Sequence, residues 1–293
     1  LQRKERGGIN TTINKIAVLG AGTMGVGIAQ AAARAGMQVI LRDLQKSLVR
    51  DGLRNIENDL GHEVSQGQIS AEEKDMILSR IEGTTDLAQL HDVNLVNEAV
   101  VENMAVKKQL FAELDNICSK NTILATNTSS LSITEIASAT KRQDKVLGMH
   151  FFKPVTTVKL VELIKGIETS DNTINVGKDF ADRIGKTSVV VNRENPGFIV
   201  NRILVPYINE AIFAYAEGLA GKEEIDTAMK LGAGMPEGPL ELADRIGLDT
   251  IYSVMLVFYE EFRDSKYRPH PLFSTMIRAG YYGIKSGKGF YKY

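Results

Sequence analysis

The stretch Lys15-Ile-Ala-Val-Leu-Gly-Ala-Gly-Thr-Met-Gly25 decides how the first half of the chain folds. Lys15 to Leu19 is a short β-rich run ending on glycine, and Thr23 to Ala35 is Ala-rich and helix-favouring, closed by Gly36. Gln38 to Arg42 is a second buried-strand candidate, and Asp43 follows it, 18 residues past Gly25. Strand, glycine turn, helix and strand in this space predict a right-handed βαβ unit with parallel strands. Gly20-x-Gly22-x-x-Gly25 then has a physical reason at each glycine. Gly20 permits the tight turn, Gly22 lets backbone approach a pyrophosphate, and Gly25 lets helix and strand pack closely. With Thr23 and Met24 between them, these residues are the candidate dinucleotide loop. Asp43 is placed to accept from the adenosine ribose hydroxyls and to repel a 2′-phosphate, which favours NAD. Arg42 beside it could meet such a phosphate, so the choice between NAD and NADP stays open.

Working outward, further strands are expected at Ile81–Thr84, Val93–Val100, Thr122–Ala125, Lys145–Phe151, Val158–Ile164 and Thr187–Val191. Helical patterns separate most of them. Val106, Leu110, Phe111, Leu114 and Ile117 make the apolar face of one such helix. The expectation is a Rossmann-like, doubly wound α/β sheet. The link between Lys145–Phe151 and Val158–Ile164 is too short for a parallel crossover, so that pair is expected to be antiparallel. The 38 residues from Asp43 to Arg80 exceed one helix and a short loop. Leu44, Leu48, Leu53, Ile56 and Leu60, then Ala71 to Arg80, predict a helical-hairpin insertion standing off the sheet. It opens with the basic stripe Lys46, Arg50 and Arg54 and is mostly acidic from Glu57 to Asp75.

After Asn195-Pro196-Gly197 the character changes. Phe198–Glu217, Glu223–Leu231, Leu240–Phe262 and Leu272–Gly280 read as helices, so an all-helical domain over 196–293 is expected to follow a dinucleotide-binding domain over 13–195. Residues 1–12 are polar and start without Met, and read as a flexible arm, a tag remnant or a processed end. The length of 293 residues agrees with about two domains. A hydrophobic fraction of 43% supplies cores for both, and the net charge of −1 argues against a general nucleic-acid or membrane-surface binder. No apolar run approaches the ~20 residues that span a bilayer. Cys118 is the single cysteine, which suits a reducing, cytoplasmic compartment, and it reads as a helix-end packing residue.

His150 ends one strand before a Pro-containing turn, and Glu162 lies on the returning strand. A hairpin register could bring imidazole and carboxylate together, giving a base that works near neutral pH. The alternative is a packed structural histidine. His62, His91 and His270 lack such a companion and are expected at the surface. Ala125-Thr-Asn-Thr-Ser-Ser130 follows a strand and precedes a helix. It is either helix capping or, through Asn127 and Ser129, part of a site at the carboxyl end of the sheet. No metal-ligand spacing is visible.

Taken in order, Gly-Ala-Gly-Thr-Met-Gly, Asn97-Glu-Ala-Val-Val-Glu-Asn103, Asn127-Thr-Ser-Ser-Leu131, His150-Phe-Phe, Pro196-Gly-Phe-Ile-Val-Asn-Arg202, Gly238-Pro-Leu-Glu-Leu-Ala-Asp244 and Gly287-Lys-Gly-Phe-Tyr291 resemble the L-3-hydroxyacyl-CoA dehydrogenases. The similarity runs from about Ile13 to the C-terminus, and the length is that of the single-function, 3-hydroxybutyryl-CoA branch. The resemblance implies NAD-dependent interconversion of a (3S)-3-hydroxyacyl-CoA and its 3-oxoacyl-CoA. It makes His150 the base and Glu162 its partner, with Ser129 and Asn201 on the C3 oxygen and the cofactor-side geometry. Glu102, Lys107 and Lys285 are implied cofactor contacts, the hairpin an arm over the CoA, and the helical domain much of a homodimer interface. Lys153 stands where the family usually has an Asn near the nicotinamide, and Thr126 stands where Ser is common. The basic stripe is then either a solvated helix face or a lure for the CoA phosphates. Two other readings compete: a dehydrogenase of a hydroxy acid or sugar acid without CoA, and a structural relative of the lens-crystallin kind.

Overall fold

An eight-stranded sheet in the order β3-β2-β1-β4-β5-β6-β7-β8 organises the first part of the chain. The structure is a computed structural model and describes residues 13–293, so the expectation for residues 1–12 lies outside the described residues. The strands are β1 (Lys15–Leu19), β2 (Gln38–Arg42), β3 (Ile81–Thr84), β4 (Leu95–Glu98), β5 (Ile123–Thr126), β6 (Val146–Phe151), β7 (Leu160–Ile164) and β8 (Thr187–Val191). The helices of this part are α1 (Thr23–Arg34), α2 (Lys46–Ser65), α3 (Ala71–Leu78), α4 (Met104–Ile117), α5 (Ile133–Ala137) and α6 (Asp171–Arg183). Helices cover the sheet, so its strands are apolar on both faces: Ile16, Ala17, Val18 and Leu19 of β1 are all fully buried. β1 lies between β2 and β4, and both pair with it in parallel. The chain therefore winds outward from β1 to β3 and then back to β4. That reversal opens a crevice at the carboxyl ends of β1 and β4, where α/β sheets take ligands.

β6 and β7 pair antiparallel, as the short link between them requires, with His150 directly opposite Glu162. β8 returns parallel to β7 after α6. The strand Val93–Val100 is shorter than expected, only Leu95–Glu98 being regular.

The hairpin after Asp43 forms, but it does not stand off the sheet. Ile56 and Leu60 of α2 and Ile77 of α3 are buried in the same core as β1 and β2. The expected helical face holds at Leu53, Ile56 and Leu60 but not at its start. α2 starts at Lys46 and buries Val49, Gly52, Ile56 and Leu60, while Leu44 is 75% exposed and Leu48 44%. Gly52 makes the docking close, since a methyl there would sit 3.0 Å from the Ala21 side chain. Cys118 follows α4 and is buried, and burial pushes its thiol up to about 11.

Contacts thin out between Glu194 and Asn195, where a second compact unit begins. It holds α7 (Val200–Ala216), α8 (Lys222–Gly232), α9 (Pro239–Ile246), α10 (Leu248–Phe262) and α11 (Pro271–Arg278) around Ile208, Ile212, Leu240, Met255, Phe258 and Phe273. The single helix expected over Leu240–Phe262 is in fact two. Gly247, at φ +105°, turns the chain between α9 and α10, a conformation that L side chains rarely adopt. His270 is half-buried rather than fully at the surface. Its Nδ1 accepts from Leu272 N (3.0 Å) at the start of α11, and its ring meets Phe213 edge-on at 4.5 Å. Pro271 has no N–H, so Leu272 is the first donor that needs a cap. His62 and His91 are exposed.

Two of the quoted motifs form one clamp in this unit. Asp244 is buried and accepts from the backbone of Phe290 (2.9 Å) and Tyr291 (2.8 Å). Asp226, also buried, accepts from Leu240 N and from the Tyr291 hydroxyl, each at 2.8 Å. A methyl on Gly289 would lie 1.8 Å from the Asp244 carboxylate, so only glycine lets the C-terminal segment close on it.

Candidate active site

The glycine loop closes over the carboxyl end of β1, and its three glycines have three different surroundings. Gly20 has φ +99°, and a methyl there would meet the Ala99 carbonyl at 2.5 Å. Gly25 packs so tightly that its methyl would lie 1.8 Å from the Gly20 carbonyl. Around Gly22 nothing lies within 4 Å of the methyl position. Gly22 is also the N-cap of α1 and offers no side chain, so the first-turn N–H groups, which include those of Thr23 and Met24, have no side-chain cap. An uncapped helix N-terminus beside vacant volume is an anion cradle.

Asp43 is fastened to that cradle. Its Oδ2 accepts from Ala21 N (2.7 Å) and its Oδ1 from Leu44 N (2.6 Å). A cleft of about 630 Å³ opens beside it, lined by Gly20, Gly22, Asp43, Leu48, Val101 and Leu110 among others. Leu44, Leu48, Val101 and Val106 each leave more than a third of their surface exposed around it, so the cleft is largely apolar, with the Asp43 carboxylate beside the glycine loop and Glu113 also in the lining. An adenosine suits that surface: a flat apolar base, then ribose hydroxyls to donate to a carboxylate. Leu44, Leu48 and Val106, which helical spacing assigns to buried faces, are instead exposed at this cleft. Arg42 is buried beside Asp43 with its Nε 3.4 Å from the Thr85 carbonyl.

At the ends of β4 and β5 the sequence reading missed the central residue. Glu98 is fully buried and accepts from Val100 N (2.7 Å), the Thr126 hydroxyl (2.7 Å) and Lys107 Nζ (2.6 Å). Lys107 is 1% exposed, and its ammonium also lies 3.4 Å from Glu102. Both named candidates are thus tied to a third residue inside the quoted Asn97–Asn103 motif. A carboxylate ending an otherwise buried strand, nine positions before a lysine on the next helix, was the available signal. Glu102 reaches across to the β5 loop, accepting from the Thr128 hydroxyl and from Ser129 N (3.0 Å). Asn127 continues the lacing: its N donates to Glu98 O (2.7 Å), and its Oδ1 accepts from Phe151 N (2.8 Å). The Ser/Thr/Asn cluster joins three strand ends rather than merely capping a helix.

Phe151 follows His150, whose Nδ1 lies 2.7 Å from Glu162 Oε2. Both side chains are buried, His150 at 6% and Glu162 at 0% exposure, and the Phe152 ring lies 4.5 Å from the imidazole. This pairing follows from the antiparallel register. Lys153 is exposed in the link that follows.

Lys46, Arg50 and Arg54 line a second cleft of about 750 Å³ between α2 and β3, with Leu53, Leu78 and Gly83. Arg54 and Arg50 lie 3.0 and 3.7 Å from Asp51, a neighbour the stripe reading left out. In the second unit, Asn201 sits half-buried in the first turn of α7, and Lys285 pairs with Asp249. Among the described residues no cluster of three metal-ligating side chains occurs, and no helix is long and apolar enough to cross a membrane.

Comparison with known proteins agrees with this layout. Residues 15–194 match the family model for the NAD binding domain of 3-hydroxyacyl-CoA dehydrogenase, and residues 197–293 match that for its C-terminal domain. The chain is 50% identical over 279 residues to 3-hydroxybutyryl-CoA dehydrogenase of Clostridioides difficile, covering 95% of this chain and 99% of that one. It is 47% identical over 281 residues to a probable 3-hydroxybutyryl-CoA dehydrogenase of Bacillus subtilis, covering 96% and 98%. The crystal structure of (S)-3-hydroxybutyryl-CoA dehydrogenase from Ralstonia eutropha superposes with a TM-score of 0.93 at 45% identity, covering 96% of this chain and 99% of that one. The chain belongs to the 3-hydroxyacyl-CoA dehydrogenase family and is an NAD-dependent oxidoreductase.

Proposed function

We propose that the chain interconverts a (3S)-3-hydroxyacyl-CoA and its 3-oxoacyl-CoA, with the short 3-hydroxybutyryl-CoA and acetoacetyl-CoA pair as its preferred substrates. The observation that carries this is the buried His150–Glu162 pair at 2.7 Å. The names borne by the similar proteins of C. difficile and R. eutropha support the short chain. Bound NAD would supply the hydride acceptor for C3 in oxidation, and NADH the donor in reduction. His150 takes the hydroxyl proton through Nε2 in oxidation and gives it back in reduction. Glu162 on Nδ1 sets the tautomer and offsets the imidazolium charge.

The remaining roles follow from position. The loop Gly20–Gly25 and the α1 N-terminus hold the pyrophosphate, and Asp43 takes the ribose hydroxyls and disfavours a 2′-phosphate. Glu102, held by Lys107, belongs to the cofactor side, as does Lys153, while Ser129 polarises the C3 oxygen. Asn201 and Lys285 are assigned, to that oxygen and to the cofactor, on the resemblance alone. Lys46, Arg50 and Arg54 attract the CoA phosphates. The helical unit carries the homodimer interface, and the lone buried thiol suits the cytoplasm.

The test is turnover with acetoacetyl-CoA beside free acetoacetate and gulonate, with NADH and NADPH in parallel. Rapid NADH oxidation with the CoA ester alone is expected. Turnover of a free acid at a similar kcat/KM would overturn the CoA assignment, and no turnover with any of the three would favour the structural relative.

A further inference from the structure

Lys186, just before β8, has a side chain that this chemistry leaves unexplained. It is 6% exposed, yet its ammonium reaches two neutral carbonyls, Val155 O at 2.5 Å and Val158 O at 2.6 Å. Burial, with the Lys159 ammonium adding to it, pushes Lys186 below its ordinary value. A lysine kept in such a place is holding something in a fixed geometry. Both carbonyls belong to the link between β6 and β7, the segment that joins His150 to Glu162. The same link is tied by Val158 N to Pro154 O (3.0 Å) and by Thr187 N to Lys159 O (2.7 Å). Val155 is buried, and its Cβ would lie only 2.7 Å from a methyl on Gly27 of α1. Gly27 stands two residues past Gly25 on the helix that begins at the cofactor loop. One ammonium therefore holds the link that seats the His150 hairpin against the cofactor helix.

The geometry points to Lys186 as a positioning residue for the hydride-transfer step. It touches neither substrate nor cofactor. It sets the separation of His150 from the cofactor loop by fastening Val155 against Gly27. Transfer rates fall steeply with displacement, and misplacement by about 1 Å can cost about 100-fold. Cofactor affinity rests chiefly on the glycine loop and Asp43, which lie outside the link; Lys153, the cofactor-side residue within it, is exposed and makes none of the Lys186 contacts. The inference rests on the dehydrogenase reading above.

The experiment compares wild type, Lys186→Met and Val155→Ala in acetoacetyl-CoA reduction and in oxidation of 3-hydroxybutyryl-CoA deuterated at C3, with thermal melting in parallel. For Lys186→Met, kcat per folded protein is expected to fall about 10- to 100-fold. KM for NAD should stay within about threefold, and the deuterium isotope effect should rise. Val155→Ala keeps both lysine hydrogen bonds, whose acceptors are backbone carbonyls, but removes side-chain atoms packed against Gly27, so the same pattern at smaller size is expected. A variant that only melts earlier, with unchanged kcat and isotope effect, overturns the inference. So does a change confined to KM. Should Lys186→Met fail to fold, Val155→Ala decides in the same terms. A wild type without turnover defeats the dehydrogenase reading and this inference with it, whereas active wild type with unaffected variants defeats this inference alone.

Discussion

Nδ1 of His150 lies 2.7 Å from Oε2 of Glu162, and the two residues face each other across β6 and β7, the antiparallel pair in an otherwise parallel sheet. Residues opposite one another on adjacent strands project to the same face, so the pleat itself delivers imidazole to carboxylate. His150→Ala is expected to lower kcat by about 10²–10⁴-fold, the range for loss of a general base. In Glu162→Gln the imidazolium loses its ionic partner, so the acidic limb of the oxidative pH–rate profile should move to lower pH. Near-normal turnover in the first variant, or an unmoved profile in the second, would remove the pair from the mechanism.

Gly22 and Gly25 should separate binding from folding. Gly22 has φ −78° and open space at its methyl position, so Gly22→Ala should fold normally and raise KM for NAD at least several-fold. Gly25→Ala puts a carbon 1.8 Å from the Gly20 carbonyl and should sharply destabilise the first unit. Melting curves and NAD titrations of both variants check this; equal effects on both properties would contradict it.

Glu98 is expected to matter for stability beyond any role in turnover. Glu98→Ala strands the fully buried Lys107 beside only Glu102, and breaking a buried pair in this way costs about 3–5 kcal/mol. Denaturant unfolding measures the loss. Adding Lys107→Met should recover a large part of it, and a double variant no more stable than the single would show that the charge is not the cause.

For the basic stripe, Arg50→Glu should raise KM for the CoA ester more at low salt than at high, because exposed charges are screened. Arg50 is 75% exposed and only 3.7 Å from Asp51, so it remains available to a phosphate. A KM that ignores both the substitution and the salt would return the stripe to an ordinary solvated face.

Asp244 gives a pH prediction for the second unit. Burial raises its carboxyl above the ordinary 3.8, although the N–H groups of Tyr291 and Phe290 and the Tyr293 hydroxyl pull the other way. A carboxyl raised by folding binds its proton more readily in the folded chain than in the unfolded one. Stability therefore falls as pH rises from 3.8 through the folded value, and recovers as pH falls. Unfolding of wild type and Asp244→Asn between pH 4 and 7 should give a difference, wild type minus variant, that shrinks with rising pH. A difference that grows would mean the carboxyl is held low instead.

Much of this protein was legible before any coordinates. The glycine loop, the parallel winding, the antiparallel return of β7, the helical second unit and the His150–Glu162 pair all rest on local rules. Glycine positions, the period of apolar residues and the length of a link act within a few residues or across one hairpin. What the tertiary structure decided depends on contacts far apart in sequence. The hairpin after Asp43 docks through Gly52 against Ala21, on a face that Ile56 and Leu60 marked and Leu44 and Leu48 did not. Glu98 is ordinary in sequence and becomes central only when β4, β5 and α4 enclose it. Asp244 meets Phe290 and Tyr291 across 46 and 47 positions, and Lys186 meets Val155 across 31. A buried charge draws its partners from whatever backbone and side chains the packing brings to it. Sequence spacing carries no record of those partners, and burial is what makes them necessary.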